Sequence, residues 1–485
     1  MARNQLTFRF RGQTRTIDRF APRTTLLDWL REEMGAKGTK EGCGEGDCGA
    51  CTIVLSRPRG ATLTYEPVNA CILLLGQVDG AEVLTIEDLA KGEVLHPVQQ
   101  AMVDLHGSQC GFCTPGIVMS LFAHYHGAAA TRESVDVALA GNLCRCTGYR
   151  PIVDAALATC VGQPADAFAE ATQSRIAALS EIDGRDLFVG DETSFFAAPS
   201  SEASLAALNE KHPDAVLLAG ATDVGLWVTK RFMELKKVIW LGRVAGFATI
   251  TSGPDDLRLG AGVTLADATP ELEALHPDLG VLLARFGSAQ VRASGTVGGN
   301  IANGSPIGDL PPALIALGAR VELSKGDVSR ELALEDFFIG YGKQDRRPGE
   351  YVRGLTVPRL AAGEAFRAFK VSKRTDEDIS AVMSAFRLTL DGRRVKSARV
   401  AYGGMAATPK RASGAEAALV GVDLDDPASW EAARAAIGKD FQPLSDMRAS
   451  AAYRSEVAAN LLIRALIEIS GAGTPTRIGE LRAAE

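Results

Sequence analysis

Histidine is scarce in this 485-residue chain, with six in all, and no position after Cys160 is a cysteine. Apolar stretches such as "VNACILLLGQV" fall short of the roughly eighteen residues that a membrane-spanning helix needs, so no span is expected. No run of Lys or Arg stands out and the net charge is −7, which argues against nucleic acid or an anionic membrane surface as the main partner. The opening "MARNQLTFRFRG" alternates polar and apolar residues and carries arginines, unlike a secretory h-region or a transit peptide. A cytoplasmic location is the expectation.

What is present is concentrated. All nine cysteines lie between Cys43 and Cys160, and in a long chain without a secretory signal such clustering points to metal or redox chemistry rather than a disulfide framework. His124 and His126, the only close histidine pair, end the helical pattern of Ile117–Tyr125 and read as a partly exposed helix face with no metal assigned.

The pattern predicts an α+β multidomain protein. Residues 1–88 read as a small β-rich domain: "LTFRFRG" and "QTRTID" form a hairpin, "TTLLDWLREEMG" a helix capped by Thr24 or Thr25, and "CTIVLS" and "EVLTI" further strands. Residues 89–162 switch to helical period, with the order helix, cysteine pair, helix given twice. Two such α-hairpins about a pseudo-twofold axis would bring four sulfurs to one end of a four-helix bundle. Residues 163–188 are Ala-rich and polar without sustained period and read as a linker. Residues 189–360 are mixed α and β, and 361–485 read as a smaller α+β domain.

Cys43-x4-Cys48-x2-Cys51, with Cys71 further on, has the plant-type 2Fe–2S ferredoxin spacing. Thiolates must converge on the cluster while backbone N–H groups point at its sulfurs, and the glycines around them permit the tight curl this requires. The alternative is a structural zinc site, although zinc favours paired C-x2-C knuckles over a long glycine loop. Cys110-x2-Cys113 and Cys144-x-Cys146 make a second set of four, suited to a second cluster when the repeat is considered and to a zinc knuckle when each pair is taken singly. Cys160 remains as a buried core thiol.

In the later region no G-x-G-x-x-G follows a strand, which disfavours a Rossmann site. Instead "AVLLAGATDVGLWV" reads as strand, turn and helix, with the N–H groups of Gly220, Ala221 and Thr222 free for a pyrophosphate and Asp223 as N-cap or first-turn acid. A glycine-dense loop from Ser294 to Asp309, holding Thr296, Asn300 and Asn303, could approach a phosphate or ribose.

With both cysteine sets in view, the chain resembles the molybdenum hydroxylases, most closely those that oxidise xanthine. The resemblance is carried by "GTKEGCGEGDCGACTIVLS", "HGSQCGFCTPGIVMS", "GNLCRCTGYRPI", "AGATDVG", "GTVGGNIANGSPIGDLPP", "FFIGYGK" and "FKVSKRTDEDIS", and it covers nearly the whole chain apart from the linker. It implies a β-grasp 2Fe–2S ferredoxin domain, a four-helix 2Fe–2S domain, a two-part FAD-binding domain of the vanillyl-alcohol-oxidase-like type and a C-terminal α+β domain. The chain stops after the flavin part, so the resemblance implies a molybdenum cofactor on a separate, larger partner subunit, in a dimer of heterodimers. Gln109 matches a position that hydrogen-bonds the pterin, which implies a place on that interface.

The same resemblance implies roles residue by residue. Leu217, Leu218, Ala219, Gly220, Ala221, Thr222, Asp223 and Val224, with Thr296, Gly299, Asn300, Asn303 and Asp309, would line the flavin's diphosphate and ribose. Phe286, Gly287, Val291, Val352 and Lys370 would lie about the flavin, with Phe286 at the isoalloxazine and Gly46 of the first cysteine loop approaching its ring. Tyr341 and Asp376 fall in segments near the nicotinamide side. The implied function is electron transfer from the partner through the Cys110, Cys113, Cys144 and Cys146 cluster, then the Cys43, Cys48, Cys51 and Cys71 cluster, to FAD and on to NAD, as hypoxanthine or xanthine is oxidised to urate. Two alternatives stay open. The same role could serve aldehyde, nicotinate or carbon monoxide oxidation, or the chain could be a zinc-stapled docking scaffold.

Overall fold

Alternation of Leu6, Phe8 and Phe10 toward one side places the first strand, Leu6–Phe10, on a buried sheet face, where Trp29 meets Phe8 and Phe10 edge-on at 5.1 and 5.4 Å. The computed structural model describes residues 2–473 and 476–477, and they divide into two units treated separately below. One comprises residues up to Phe247 with Thr264–Ala266 and Gly287–Thr296. The other comprises Ala248–Val263, Asp267–Phe286 and the chain from Val297.

The first unit begins with a five-stranded sheet in the order Gln13–Ile17, Leu6–Phe10, Glu82–Leu84, Thr52–Ser56, Glu66–Asn69. Leu6–Phe10 and Glu82–Leu84 run parallel and the other pairs antiparallel, which is the β-grasp arrangement expected. Thr25 caps the covering helix, its hydroxyl accepting from the Asp28 N–H at 3.1 Å. That helix widens into a π-type turn over Trp29–Glu33. The strand Glu66–Asn69, a partner of the "CTIVLS" strand, is an element the sequence reading missed.

Four helices follow, Pro97–Asp104, Thr114–Tyr125, Arg132–Leu139 and Arg150–Thr159, with proline in the first turn of three of them. Val98, Met102, Ile117, Leu121, Val135, Leu139, Ile152 and Val153 form their common core. The stretch 163–188, expected as a linker that could be helical in part, holds the helices Ala167–Glu170 and Thr172–Ser180. Two buried charges fasten it. Arg175 pairs with Glu82 at 2.8 Å and donates to the Tyr65 hydroxyl, while Asp166 meets His96. Its composition lacks an apolar stripe because polar groups hold it in place.

The same unit holds a four-stranded sheet, ordered Val216–Leu218, Lys237–Trp240, Phe195–Ala198, Leu187–Gly190, with the first three strands parallel. The second unit has a five-stranded sheet containing Asp256–Gly260, Tyr351–Pro358 and Arg320–Lys325. It also has a four-stranded antiparallel sheet built on Glu364–Val371, Val382–Asp391 and Arg394–Gly403. The helix Ala451–Ser470 packs on that second sheet through Ala458, Leu462 and Leu466. No helix among the described residues is long and apolar enough to cross a membrane.

Candidate functional site

The first cysteine loop leaves the covering helix and returns into Thr52–Ser56, so both ends are tied to the sheet and the sulfurs turn inward. Cys51 and Cys71 are buried with Sγ atoms 3.2 Å apart, and Cys43 interacts with Cys48 and Cys71. Backbone N–H groups of Glu45 and Cys48 point at Cys43 Sγ at 3.4 and 3.3 Å, and Asn69 Nδ2 faces Cys51 Sγ at 3.8 Å. Contacts from Cys48 and Cys71 pull the Cys43 thiol far below its ordinary range, while Cys43 pushes both of those upward. Such a set shares its protons unequally and gives them up to a cation. Gly49 shows why glycine is required here: its φ is +67° and a Cβ would stand 2.0 Å from the Gly141 carbonyl. N–H groups aimed at sulfur are what a 2Fe–2S cluster held here would use to tune its potential.

The second set lies at the turns of the helical domain. Cys146 interacts with Cys110 and Cys144 with Cys113, so each pair takes one sulfur from each turn, as the repeat predicts. Burial first, then Cys144, pushes Cys113 up to about 12. Burial alone would raise Cys144, yet the Thr147 hydroxyl, 3.1 Å from its sulfur, helps hold it below the usual thiol value. Cys110 and Cys146 are exposed. The ninth thiol, Cys160, is 1% exposed against the Leu121 carbonyl and burial pushes it up to about 11, so it is the core thiol expected.

The two sets are joined directly. Leu143, beside Cys144, donates its N–H to the Cys48 carbonyl at 2.9 Å, and Asn142 donates to the Gly49 carbonyl at 3.3 Å.

The candidate flavin residues divide between the units. In the first, the turn Ala219–Asp223 carries Ala221 at φ +65°, and Gly220 lies so near the segment Ser294–Gly295 that a Cβ would stand 1.8 Å from the Ser294 carbonyl. Asp223 stands at the N-cap position of the helix Val224–Thr229, as expected, but its side chain makes no capping hydrogen bond. Its carboxylate accepts instead from Trp227 Nε1, the i+4 neighbour, at 3.0 Å. Thr296 is buried and bridges to Thr264, while Val291 packs against the positive-φ Gly287. Gly46 is packed against Ile72.

In the second unit the expected loop Ser294–Asp309 contains a helix, Val297–Asn303. Val297 and Ile301, four apart and both fully buried, are the apolar pair that signals it. Asn300 Oδ1 is buried without a hydrogen-bond partner, as a donor-bearing nucleotide would require. Asn303 is exposed and Val352 buried. Lys370 and Asp309, both buried, pair at 2.6 Å; Lys370 also donates to the Arg285 carbonyl and Asp309 accepts from Ser380. Phe286 is half-buried and follows that same Arg285, whereas Tyr341 and Asp376 are exposed. Gln109, beside Cys110, is exposed too.

His126 is not on a partly exposed face. Its side chain is 3% exposed, stacked on Tyr65 at 3.7 Å, with Nε2 3.1 Å from Asp166. His96 lies on the other side of that carboxylate at 2.7 Å. Three donors so close suggest a metal, but His96 Nδ1 accepts from the Val98 N–H, which leaves the ring proton on Nε2, donated to Asp166. The trio is a hydrogen-bonded anchor for residues 163–188. Nothing in the spacing of His96, His126 and Asp166 along the chain signals it.

Four family models match the chain: 2Fe-2S iron-sulfur cluster binding domain at residues 8–75, [2Fe-2S] binding domain at 85–157, FAD binding domain in molybdopterin dehydrogenase at 191–360, and CO dehydrogenase flavoprotein C-terminal domain at 367–469. Xanthine dehydrogenase of Emericella nidulans is 31% identical over 95% of this chain and 38% of its own length. That of Blastobotrys adeninivorans is 30% identical over 93% and 40%. The chain thus spans well under half the length of these curated relatives. Among solved structures, carbon monoxide dehydrogenase from Hydrogenophaga pseudoflava matches at 29% identity with a TM-score of 0.53, over 56% of this chain and 95% of that one. Two sets of four cysteines, two 2Fe–2S models and a molybdopterin-dehydrogenase flavin model agree: the chain belongs to the molybdenum hydroxylase family, as its iron–sulfur and FAD portion.

Proposed function

We propose that this chain is the electron-transfer portion of a xanthine-oxidising molybdenum hydroxylase. The observation that carries the reading is the Leu143–Cys48 hydrogen bond, which links two four-sulfur sets inside one unit. When bound, the two clusters and FAD supply electron carriage from a molybdenum-cofactor partner subunit toward NAD. The cysteines Cys43, Cys48, Cys51 and Cys71 hold one cluster, and Cys110, Cys113, Cys144 and Cys146 the other. In the first unit the turn Leu217–Val224 and Thr296 are the flavin-binding candidates; in the second they are Gly299, Asn300 and Lys370, with Asp309 keeping the Lys370 ammonium in place.

The partner docks at the end of the bundle that bears Cys110 and Cys146. Support comes from exposed apolar residues there, Val103, Phe112 and Leu143 at 58, 49 and 62%, and from a cavity of about 450 Å³ lined by Met102, Pro115 and Val118. Gln109 then reaches the pterin, and the assembly is a dimer of heterodimers in the cytoplasm.

Co-purification with the large subunit and a xanthine-dependent NAD reduction assay test the reading; reduction of the clusters by xanthine is expected. Carbon monoxide is the second substrate to try, because the structural likeness to carbon monoxide dehydrogenase spans 95% of that chain. Reduction by carbon monoxide and not by xanthine would replace the first reading with the second.

A further inference from the structure

The two cysteine loops are held together by more than the Leu143–Cys48 bond. Gln290, fully buried, comes from the helix Ala289–Ser294, far along the chain in a segment that also carries the flavin candidates Val291 and Thr296. Its Nε2 lies 3.1 Å from Thr52 Oγ1, 3.1 Å from Ser120 Oγ and 3.0 Å from Asn142 Oδ1.

The donors in this hub are accounted for. The Thr52 hydroxyl donates to the Gly49 carbonyl at 2.7 Å, and the Ser120 hydroxyl to Asn142 Oδ1 at 2.7 Å. Both hydroxyls therefore present lone pairs to the Gln290 amide hydrogens, and Asn142 Nδ2 donates to Thr52 Oγ1 as well, at 3.4 Å. Gly49 is adjacent to Cys48, and Asn142 is adjacent to Leu143. The Gln290 amide thus holds Asn142 directly, and Gly49 through the Thr52 hydroxyl, within one hub. Its own Oε1 has no hydrogen-bond partner, and a Cβ on Gly141 would stand 2.4 Å from it, so the amide is wedged against the second loop. Leaving a buried carbonyl oxygen unpaired costs about 1–3 kcal/mol, a sacrifice that places the donor side of the amide where both loops need it.

We propose that Gln290 is a positioning residue that holds the two cysteine loops at one spacing, acting through Asn142 and Thr52. The proposal rests on the reading that both sets carry 2Fe–2S clusters. An apolar side chain of similar volume leaves the packing nearly intact but withdraws the donors from Thr52, Ser120 and Asn142. The loops then lose the Gln290 tie, while the Leu143–Cys48 and Asn142–Gly49 bonds stay and every cysteine keeps its own neighbours.

The test uses the full chain with clusters assembled, comparing wild type with Gln290→Met and, in case that variant folds poorly, Ser120→Ala. Iron is counted first. The paramagnetic resonance spectrum of the fully reduced protein then reports the magnetic coupling between the two clusters, which depends on their separation. The expected result is unchanged iron, weaker coupling, and electron exchange between clusters slowed on the order of tenfold. Unchanged coupling and exchange in variants that retain iron overturn the proposal and leave the cluster reading standing. Loss of iron from both variants overturns it too, since the hub then serves cluster assembly rather than spacing. Wild-type protein that takes up no iron overturns the cluster reading, and the proposal with it.

Discussion

Lys370 and Asp309 form a buried ion pair at 2.6 Å, 3 and 6% exposed, closed by the Arg285 carbonyl on one side and the Ser380 hydroxyl on the other. Each charge is satisfied only by the other and by two neutral groups. Removing one leaves its partner buried and uncompensated.

Lys370→Met is therefore expected to destabilise the protein by roughly 3–5 kcal/mol. Asp309→Asn with Lys370→Met together should cost less than the single lysine change. Denaturant unfolding of Lys370→Met, Asp309→Asn and the double variant checks the stability order, and bound-flavin absorbance checks whether the lysine is needed at the site. A double variant costing the sum of the two single changes would show that the pair is not coupled.

The Asp166 anchor makes a pH prediction. Burial pushes its carboxyl up, yet His126, His96 and the Ala169 N–H together hold it well below the usual carboxylate value. Because the folded value is depressed, this group's contribution to stability is present above the unfolded value of about 3.9. It is lost as pH falls below that toward the folded value. Asp166→Asn should cost roughly 2–4 kcal/mol at neutral pH and flatten the acid limb of the stability profile. A melting series from pH 3 to 7 measures both.

Cys160 titrates in the opposite sense. Burial raises its folded value to about 11, so its contribution is complete below the unfolded thiol value and is lost as pH rises toward 11. Native protein at pH 8 should leave Cys160 unlabelled by an alkylating reagent, with labelling appearing on denaturation; mass spectrometry of the tryptic peptide reads it. Fast labelling of the native protein would contradict the burial.

Cys43→Ser removes the thiol that receives the Glu45 and Cys48 N–H groups. On the proposed reading, in which each four-cysteine set binds one cluster, iron per chain should fall to about half. The visible spectrum of the other cluster should persist. Reduction of flavin by substrate in the assembled enzyme should slow severely, and unchanged flavin reduction would place this loop off the electron path.

Cysteine spacing, the twice-repeated helix and cysteine pair, and proline in the first helical turns were legible along the chain. Each depends on neighbours a few residues apart, where covalent geometry and local hydrogen bonds dominate. That was enough to place both sulfur sets, the four helices and the β-grasp strands other than Glu66–Asn69. Val297–Asn303 was misread as loop because its glycines weigh against a helix, while the burial of Val297 and Ile301 that stabilises it comes from tertiary packing. Asp223 was legible as the residue that opens its helix, but the Trp227 indole taking its carboxylate in place of a capping N–H was not.

Long-range polar partners were beyond the sequence altogether. His126 finds Tyr65 and Asp166, and Gln290 finds Thr52, 238 positions away. A buried amide or imidazole satisfies its hydrogen bonds with whatever the packing brings within about 3 Å, and no local pattern encodes that choice. The sequence by itself determined which sulfur-bearing side chains each loop gathers. Only the tertiary structure decided how the loops are held to one another, because that depends on side chains distant in the chain meeting in one dry interior.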